Sequence, residues 1–149
     1  VIIGHSETRA DNDNKKINFK IKSALYEKLN VILCIGEKLI DKRKNKTKYV
    51  LKKQLLEGLK NIKNLNKVMI AYEPVWSIGT GLTPKMSEIN DILQFLTKIL
   101  KNYSFKKIKI LYGGSVNLSN IKEILSLQKL DGVLVGSAST KPSFIKYFK

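Results

Sequence analysis

Residues 68–76 read VMIAYEPVW, a continuous apolar run that is broken only by Glu73 and Pro74. An apolar run of five residues without polar alternation is typical of a strand that is buried on both faces of a parallel sheet. Four similar runs end abruptly at a glycine, a glutamate or a polar cluster: Val1–Ile3, Val31–Cys34, Ile108–Tyr112 and Val133–Val135. The sequence therefore predicts five parallel strands, of which Val68–Tyr72 is the third.

Apolar residues recur at helical spacing between the predicted strands. One face holds Ile17, Ile21, Ala24, Leu25 and Leu29, and another holds Val50, Leu51, Leu55, Leu59 and Ile62. The third helix is the clearest, because Thr83 is a suitable cap and Pro84 a suitable first-turn residue. Its apolar face comprises Ile89, Leu93, Leu96 and Leu100. The fourth predicted helix contains Ile121, Ile124 and Leu125, and the last one is Lys141–Phe148. The chain therefore alternates strand and helix five times.

This alternation predicts an α/β fold with a parallel sheet and helical crossovers. Two architectures are compatible with it, an open doubly wound sheet and a closed (β/α)8 barrel. No G-x-G-x-x-G motif follows the first predicted strand, which disfavours a dinucleotide-binding open sheet. Glycines and polar residues follow all five strands, and only a closed barrel brings five strand ends to one point. We therefore expect residues 1–149 to form a single domain of the barrel type.

The barrel is expected to be incomplete. Five βα units account for the 149 residues, whereas eight units and about 250 residues close a barrel. Val1 opens inside an apolar run, as expected for a chain that is cut in mid-strand. The sequence therefore predicts a fragment that is truncated at the N-terminus and lacks about three units.

The charge balance is strongly basic. The chain has 28 basic and 12 acidic residues, a net charge of +16, which is compatible with a nucleic acid or an anionic membrane as partner. Only Arg9 and Arg43 are arginines, however, and the scattered lysines have no interleaved aromatic residues, which disfavours nucleic-acid recognition. No apolar run is long enough to cross a bilayer. We expect no nucleic-acid and no membrane partner, and the single Cys34 fits a reducing, cytoplasmic location.

Two residues that can transfer protons or polarise a carbonyl follow predicted strands. His5 is the single histidine, and its neutral imidazole can donate a hydrogen bond to a substrate oxygen as charge develops there. Glu73 ends the third strand, where partial desolvation raises the pKa of a carboxyl and makes it a suitable general base. A structural histidine and an ion-paired glutamate are the alternatives. The position of both residues at strand ends favours a catalytic site.

Loops after the later strands have the composition of a lid and of an anion site. Pro74–Trp76 and Leu82–Pro84 are stiff segments that flank the small and flexible Ser77–Gly81, a pattern typical of a hinged lid. Gly113–Ser115 and Gly136-Ser137 follow the last two strands and lead toward helices. Backbone N–H groups in such turns bind anions, and barrels often place a phosphate there.

Five segments resemble the triosephosphate isomerase family, in order and at the family's spacing. They are GHSE at 4–7, CIGE at 34–37, AYEPVWSIGTG at 71–81, YGGSV at 112–116 and DGVLVG at 131–136. The eleven-residue segment is the most specific of them. The resemblance covers the whole chain and implies that its strands are the fourth to eighth of the barrel.

The resemblance implies an isomerase of glycolysis and gluconeogenesis that interconverts dihydroxyacetone phosphate and D-glyceraldehyde 3-phosphate without a metal or organic cofactor. Glu73 would be the base that moves a proton between two carbons, and His5 the neutral electrophile that stabilises the enediolate, roles that this family exemplifies. Glu7 and Cys34 resemble supporting residues of the site. The intact protein is expected to be a homodimer.

The resemblance also implies a phosphate grip. The lid around Gly79 would close over the substrate phosphate, with help from the Tyr112 hydroxyl. The backbone N–H groups that would hold the phosphate are those of Gly79, Ser115, Gly136 and Ser137.

The chain departs from the family pattern at several places. Thr8 replaces the usual arginine, Leu82 the commoner lysine, and Ser137 a glycine, where a serine would be strained if the position needs a positive φ. The family's first-loop asparagine and lysine have no counterpart in these residues. The alternative function is therefore an inactive phosphate-binding remnant or a fragment that complements another chain.

Overall fold

A computed structural model describes residues 1–103 and 107–146 of the chain. Within them, one parallel sheet contains five short strands: β1 (Ile2–Ile3), β2 (Val31–Ile35), β3 (Val68–Tyr72), β4 (Ile110–Tyr112) and β5 (Gly132–Val133). All four strand pairs are parallel. The continuous apolar run at residues 68–72 is the central strand, as predicted.

The strand order distinguishes the two architectures. Each strand pairs with its predecessor in the chain, so that the order across the sheet is β1-β2-β3-β4-β5. A doubly wound sheet reverses its order at a switch point, whereas the wall of a barrel adds each strand on the same side. The sheet is therefore an arc of a (β/α) barrel, which confirms the predicted fold class.

Seven helices occur in the described residues: α1 (Ser6–Arg9), α2 (Asn14–Tyr26), α3 (Leu39–Arg43), α4 (Thr47–Gly58), α5 (Met86–Leu100), α6 (Ile121–Leu125) and α7 (Pro142–Lys146). Single 3-10 turns occur at Val75–Ser77 and Ser137–Thr140. The short helices α1 and α3 lie directly after strands and were not predicted. The last predicted helix, Lys141–Phe148, corresponds to α7, and residues 147–149 lie outside the described residues.

The longer helices cover one face of the sheet. Leu33, Ile70 and Ile110 lie side by side in register on β2, β3 and β4, and all three are buried. Against them pack apolar residues of three helices: Ile17 and Ile21 of α2, Leu51 and Leu55 of α4, and Ile89 and Leu93 of α5. On the other face, Ile32, Met69 and Leu111 are only half-buried. The core therefore lies between the helices and the outer face of the arc.

Three predictions of helix ends were wrong. Helix α4 ends at Gly58, so that Leu59 and Ile62 lie beyond it although they were predicted on its apolar face. Helix α5 begins at Met86, with Lys85 as its cap residue, because the Glu88 carboxylate accepts the Lys85 backbone N–H at 2.9 Å. Thr83 and Pro84 therefore precede the helix. Helix α2 ends at Tyr26, because Lys28 turns the chain away with a φ of 60°. Leu29 is consequently exposed and does not belong to the apolar face of the helix.

Four of the five predicted strands have different bounds in the structure. Strand β1 begins at Ile2 rather than at Val1, and β2 extends to Ile35 instead of ending at Cys34. The Ile110 backbone N–H donates to the Asp131 carboxylate, so that β4 begins at Ile110 rather than at Ile108. Only two residue pairs connect β4 and β5, Leu111 with Gly132 and Tyr112 with Val133. Strand β5 therefore ends at Val133 instead of extending to Val135. All five strands nevertheless direct their carboxyl ends toward the same edge of the sheet.

Candidate active site

His5 and Glu73 lie together at the carboxyl edge of the sheet. His5 follows β1 as the cap residue of α1, and Glu73 directly follows β3. The distance from His5 Nε2 to Glu73 Oε1 is 3.7 Å. Glu73 is 3% exposed, whereas the His5 side chain is partly open to solvent. A histidine and a buried carboxylate therefore face a common space at the strand ends.

The cap of helix α1 determines which nitrogen of His5 points toward Glu73. The Glu7 backbone N–H donates to His5 Nδ1 at 3.4 Å. A neutral imidazole that accepts at Nδ1 carries its proton on Nε2. In its neutral form the ring therefore directs its N–H donor into the site. The Glu7 carboxylate is exposed, 3.7 Å from Nδ1.

Burial dominates the electrostatics of Glu73. Desolvation raises the pKa of its carboxyl above the ordinary range. The hydrogen bond from the Cys34 thiol, then the nearby His5 ring and the Ser6 backbone N–H, oppose this rise. Burial and the nearby Glu73 carboxylate raise the pKa of the Cys34 thiol, so that Cys34 remains a neutral donor. Glu73 is thus a buried carboxylate whose proton affinity is enhanced.

Arg9 contacts the backbone of Cys34, the residue whose thiol donates to Glu73, a role that the sequence analysis did not identify. Its guanidinium donates to the Cys34 carbonyl at 3.0 Å and to the Asn14 side chain at 2.8 Å. Burial lowers its pKa, and the Glu73 carboxylate opposes that change. The scarcity of arginine, with only Arg9 and Arg43 in a chain of 28 basic residues, was the available signal.

Residues 74–84, called the lid below, connect Glu73 to helix α5. Pro74 and Pro84 are buried at its two ends, whereas Gly79 and Gly81 are exposed and have φ values of 69° and 75°. Trp76 Nε1 donates to Glu37 Oε1 at 2.8 Å. The lid is therefore anchored at its ends and open at its tip.

Glu37 is a second buried carboxylate, to which the sequence analysis gave no role. Besides Trp76, it accepts a hydrogen bond from the Tyr72 hydroxyl at 3.3 Å. Burial raises the pKa of Glu37, and the bonds from Trp76 and Tyr72 and the charge of Lys42 oppose the rise. Its position directly after β2, within Gly36-Glu37, was the signal in the sequence.

The four predicted phosphate-binding residues follow three adjacent strands. Gly79 lies at the exposed tip of the lid after β3, Ser115 follows β4, and Gly136 and Ser137 follow β5. The Ser115 backbone N–H donates to the Ser77 hydroxyl at 3.2 Å. Ser137 begins a 3-10 turn and is not a residue of positive φ, so that the strain considered for a serine there does not arise.

Tyr112 and Thr8 occupy different environments. Tyr112 is fully buried, its ring tilted at 58° against that of Tyr72, and burial raises its pKa to about 12. A Cβ at Gly114 would stand 2.2 Å from the Tyr112 hydroxyl, so that only glycine fits there. The exposed Thr8 hydroxyl donates to the His5 carbonyl at 3.2 Å.

Two further findings concern the described residues as a whole. Over residues 1–103 and 107–146, no group of three or more His, Cys, Asp or Glu side chains is placed to hold a metal ion. In the same part of the chain, no helix is both long and apolar enough to span a membrane.

The chain is similar to known proteins of one family. The profile of the family described as triosephosphate isomerase matches residues 1–149. The triosephosphate isomerase of Dictyoglomus thermophilum is 47% identical over 150 residues, which cover 95% of this chain and 60% of that protein. That of Campylobacter jejuni subsp. doylei is 47% identical and covers 100% and 63%, and that of Thermodesulfovibrio yellowstonii is 44% identical with the same coverage.

The chain spans about three fifths of the length of the curated relatives it matches. The match nevertheless includes every segment that forms the site described above. The chain therefore belongs to the triosephosphate isomerase family.

Proposed function

We propose that the full-length protein carrying this chain interconverts dihydroxyacetone phosphate and D-glyceraldehyde 3-phosphate, a step of glycolysis and gluconeogenesis. The observation that carries the proposal is the pair formed by the buried Glu73 carboxylate and His5 Nε2, 3.7 Å apart at the carboxyl edge of the sheet. A base and a hydrogen-bond donor at this distance can act on neighbouring atoms of one small substrate. We also propose that the full-length protein is a cytoplasmic homodimer, because the family resemblance implies it.

In the proposed reaction Glu73 takes a proton from the carbon next to the substrate carbonyl. The electron pair of the broken C–H bond forms the double bond of an enediolate, and the carbonyl oxygen takes the negative charge. The N–H of His5 Nε2 donates a hydrogen bond to that oxygen. A proton then passes from the hydroxyl on the first carbon to the charged oxygen, with His5 Nε2 between the two oxygens. Glu73 returns its proton to the neighbouring carbon as the first oxygen becomes the new carbonyl. Because burial raises the pKa of Glu73, its carboxylate is a stronger base than an exposed glutamate.

The phosphate would be held by the backbone N–H groups of Gly79, Ser115, Gly136 and Ser137. Three of these follow β4 and β5, whose ends lie next to each other, and backbone N–H groups in such turns are suited to anions. Closure of the lid over the phosphate would exclude water and prevent the enediolate from eliminating phosphate. The positive φ values of Gly79 and Gly81 give the tip of the lid the backbone geometry of a tight turn.

The test is the variant Glu73→Gln in the full-length protein, which keeps the volume of the side chain and removes the base. We expect kcat to fall by about 10²- to 10⁴-fold while inorganic phosphate still binds. Glu27→Gln, at an exposed position after helix α2, is the matched control and should leave kcat unchanged. Near-normal turnover of Glu73→Gln would exclude Glu73 as the base.

A further inference from the structure

Ser77 is a fully buried hydroxyl in the middle of the lid sequence. Its Oγ donates to the Leu82 carbonyl at 2.6 Å and accepts the Ser115 backbone N–H at 3.2 Å. The first bond joins two residues within the lid. The second bond joins the lid to the loop after β4, 38 residues away along the chain. Ser77, near the start of the lid, therefore connects Leu82, near its end, to Ser115, one of the proposed phosphate donors.

A second contact holds the same two segments together. The Asn120 side-chain amide donates to the Ser115 carbonyl at 3.0 Å and to the Thr83 hydroxyl at 3.5 Å. The Ser115 residue is thus bound on its carbonyl side by Asn120 and on its N–H side by Ser77. A phosphate oxygen that accepts the Ser115 N–H must displace Ser77, because a backbone N–H makes one strong hydrogen bond.

We propose that Ser77 is a positioning residue that occupies the Ser115 backbone N–H in the absence of ligand, and that the phosphate group of the substrate competes with it. The inference rests on the proposed function, in which the Ser115 N–H binds phosphate. Displacement of Ser77 removes one of the two contacts that hold the lid to the loop after β4, the other being that of Asn120, so that phosphate binding and lid movement are coupled. The Ser77 hydroxyl consequently weakens phosphate binding by the strength of the bond that phosphate must break.

The experiment uses full-length protein with Ser77→Ala, and with Ser77→Cys as a variant of nearly the same volume and weaker hydrogen bonding. The matched control is Ser126→Ala, whose hydroxyl donates to the Glu123 carbonyl on the exposed side of α6. Two quantities are measured: the hydrogen-exchange rate of the Ser115 N–H by NMR without phosphate, and the Kd of inorganic phosphate by calorimetry. Thermal unfolding confirms that each variant is folded.

Loss of one neutral hydrogen bond should speed Ser115 exchange and lower the phosphate Kd by about two- to tenfold in Ser77→Ala. Ser77→Cys should lie between Ser77→Ala and the wild type, and Ser126→Ala should match the wild type. A gain of phosphate affinity is not expected from a variant that merely loosens the structure.

Unchanged exchange at Ser115 would overturn the inference, because the bond to Ser77 would then not protect that N–H. Faster exchange with an unchanged or higher phosphate Kd would also overturn it, because the two acceptors would not compete. If the wild-type protein binds no phosphate, the proposed function itself fails, and the inference fails with it.

Discussion

At the scale of single residues, Glu73 is surrounded by positions where a side chain has no room. A Cβ at Gly113 would stand 2.8 Å from Glu73 Cγ, and a Cβ at Gly36 would stand 1.6 Å from the Glu73 carbonyl oxygen. The absence of a side chain at Gly113 leaves room for the side chain of Glu73, and its absence at Gly36 leaves room for the Glu73 backbone. Both glycines follow strands that flank β3, so that the position of Glu73 depends on its neighbours on both sides.

We predict that Gly36→Ala destabilises the full-length protein. The added methyl group meets backbone atoms, which cannot rotate away as a side chain can. The expected loss in the free energy of unfolding is about 1–3 kcal/mol or more, measured by urea unfolding. Gly132→Ala is the control, because its Cβ would approach only the flexible end of Leu111, at 3.3 Å. Equal stability of the two variants would contradict the prediction.

The buried Glu37 predicts a dependence of stability on pH. Since burial raises its pKa in the folded state, the folded protein holds the Glu37 proton to a higher pH than the unfolded chain does. Its contribution to the free energy of unfolding is therefore fully present below the unfolded pKa of about 4.3 and is lost as the pH rises through the folded pKa.

The variant Glu37→Gln should not show this loss of stability with rising pH, because a glutamine side chain does not ionise. We expect the free energy of unfolding of this variant, relative to wild type, to rise as the pH increases from about 4.3 to neutrality, measured by urea unfolding at several pH values. The exposed Glu27→Gln is the control. A difference from wild type that is independent of pH, or that falls with pH, would show that Glu37 is not destabilised by burial.

At the scale of elements, Lys42 of helix α3 links the lid to helix α5. Its ammonium lies 3.9 Å from the centre of the Trp76 ring and 3.1 Å from Glu88 Oε1. Glu88 in turn accepts the Lys85 backbone N–H at the beginning of α5. One cation therefore contacts the 3-10 turn at the start of the lid and the helix that follows the lid.

We predict that Lys42→Met increases the mobility of Trp76. A cation–π contact at a partly exposed ring shifts an equilibrium by about two- to fivefold, and the displaced Trp76 population should rise by that factor. Fluorotryptophan NMR of the full-length protein measures it, with the Trp76 resonance assigned by its loss in Trp76→Phe. Lys48→Met, near Phe95 instead, is the control. The same Trp76 spectrum in wild type and Lys42→Met would refute the role of Lys42.

The elements show which features the sequence could predict. The run at residues 68–72 predicted β3 with its bounds, because a strand that is buried on both faces has to be apolar throughout. Thr83 was a reasonable cap by residue type, but the Glu88 carboxylate took that role from inside the helix. Local preferences do not reveal which of two competing caps is used, because the choice depends on where the preceding lid ends.

At the scale of the whole molecule, the five-stranded sheet has two open edges within the described residues. Strand β1 pairs only with β2, and β5 only with β4. Ile2 on β1 is 52% exposed, and the inner face of the arc is half-buried at Ile32, Met69 and Leu111. Unpaired strand edges beside apolar surface promote association.

We predict that a polypeptide of residues 1–149 alone self-associates. Analytical ultracentrifugation at increasing concentration should show a rising average mass, whereas the full-length protein, the control, should keep one defined assembly. A monodisperse monomer of residues 1–149 that unfolds cooperatively would contradict the view that these edges need covering.

The candidate site was only partly predictable at this scale. His5 and Glu73 could be singled out because parallel strands place their carboxyl ends at one edge, a property of the fold that the strand pattern reveals. The bond between Ser77 and Ser115 could not, because it joins two loops 38 residues apart whose approach depends on the lid conformation. Arg9 also needed the structure, since its partner is a backbone carbonyl, which every residue has.

The most direct test of the account is deuterium uptake during isomerisation by the full-length protein in D2O, followed by NMR of the substrate carbons. The account predicts that wild-type protein interconverts the two triose phosphates and introduces solvent deuterium at the carbon that Glu73 reprotonates. It predicts loss of both conversion and uptake in Glu73→Gln, with retained binding of inorganic phosphate. Conversion and deuterium uptake at the wild-type rate in Glu73→Gln, or neither in wild type, would contradict the central claim.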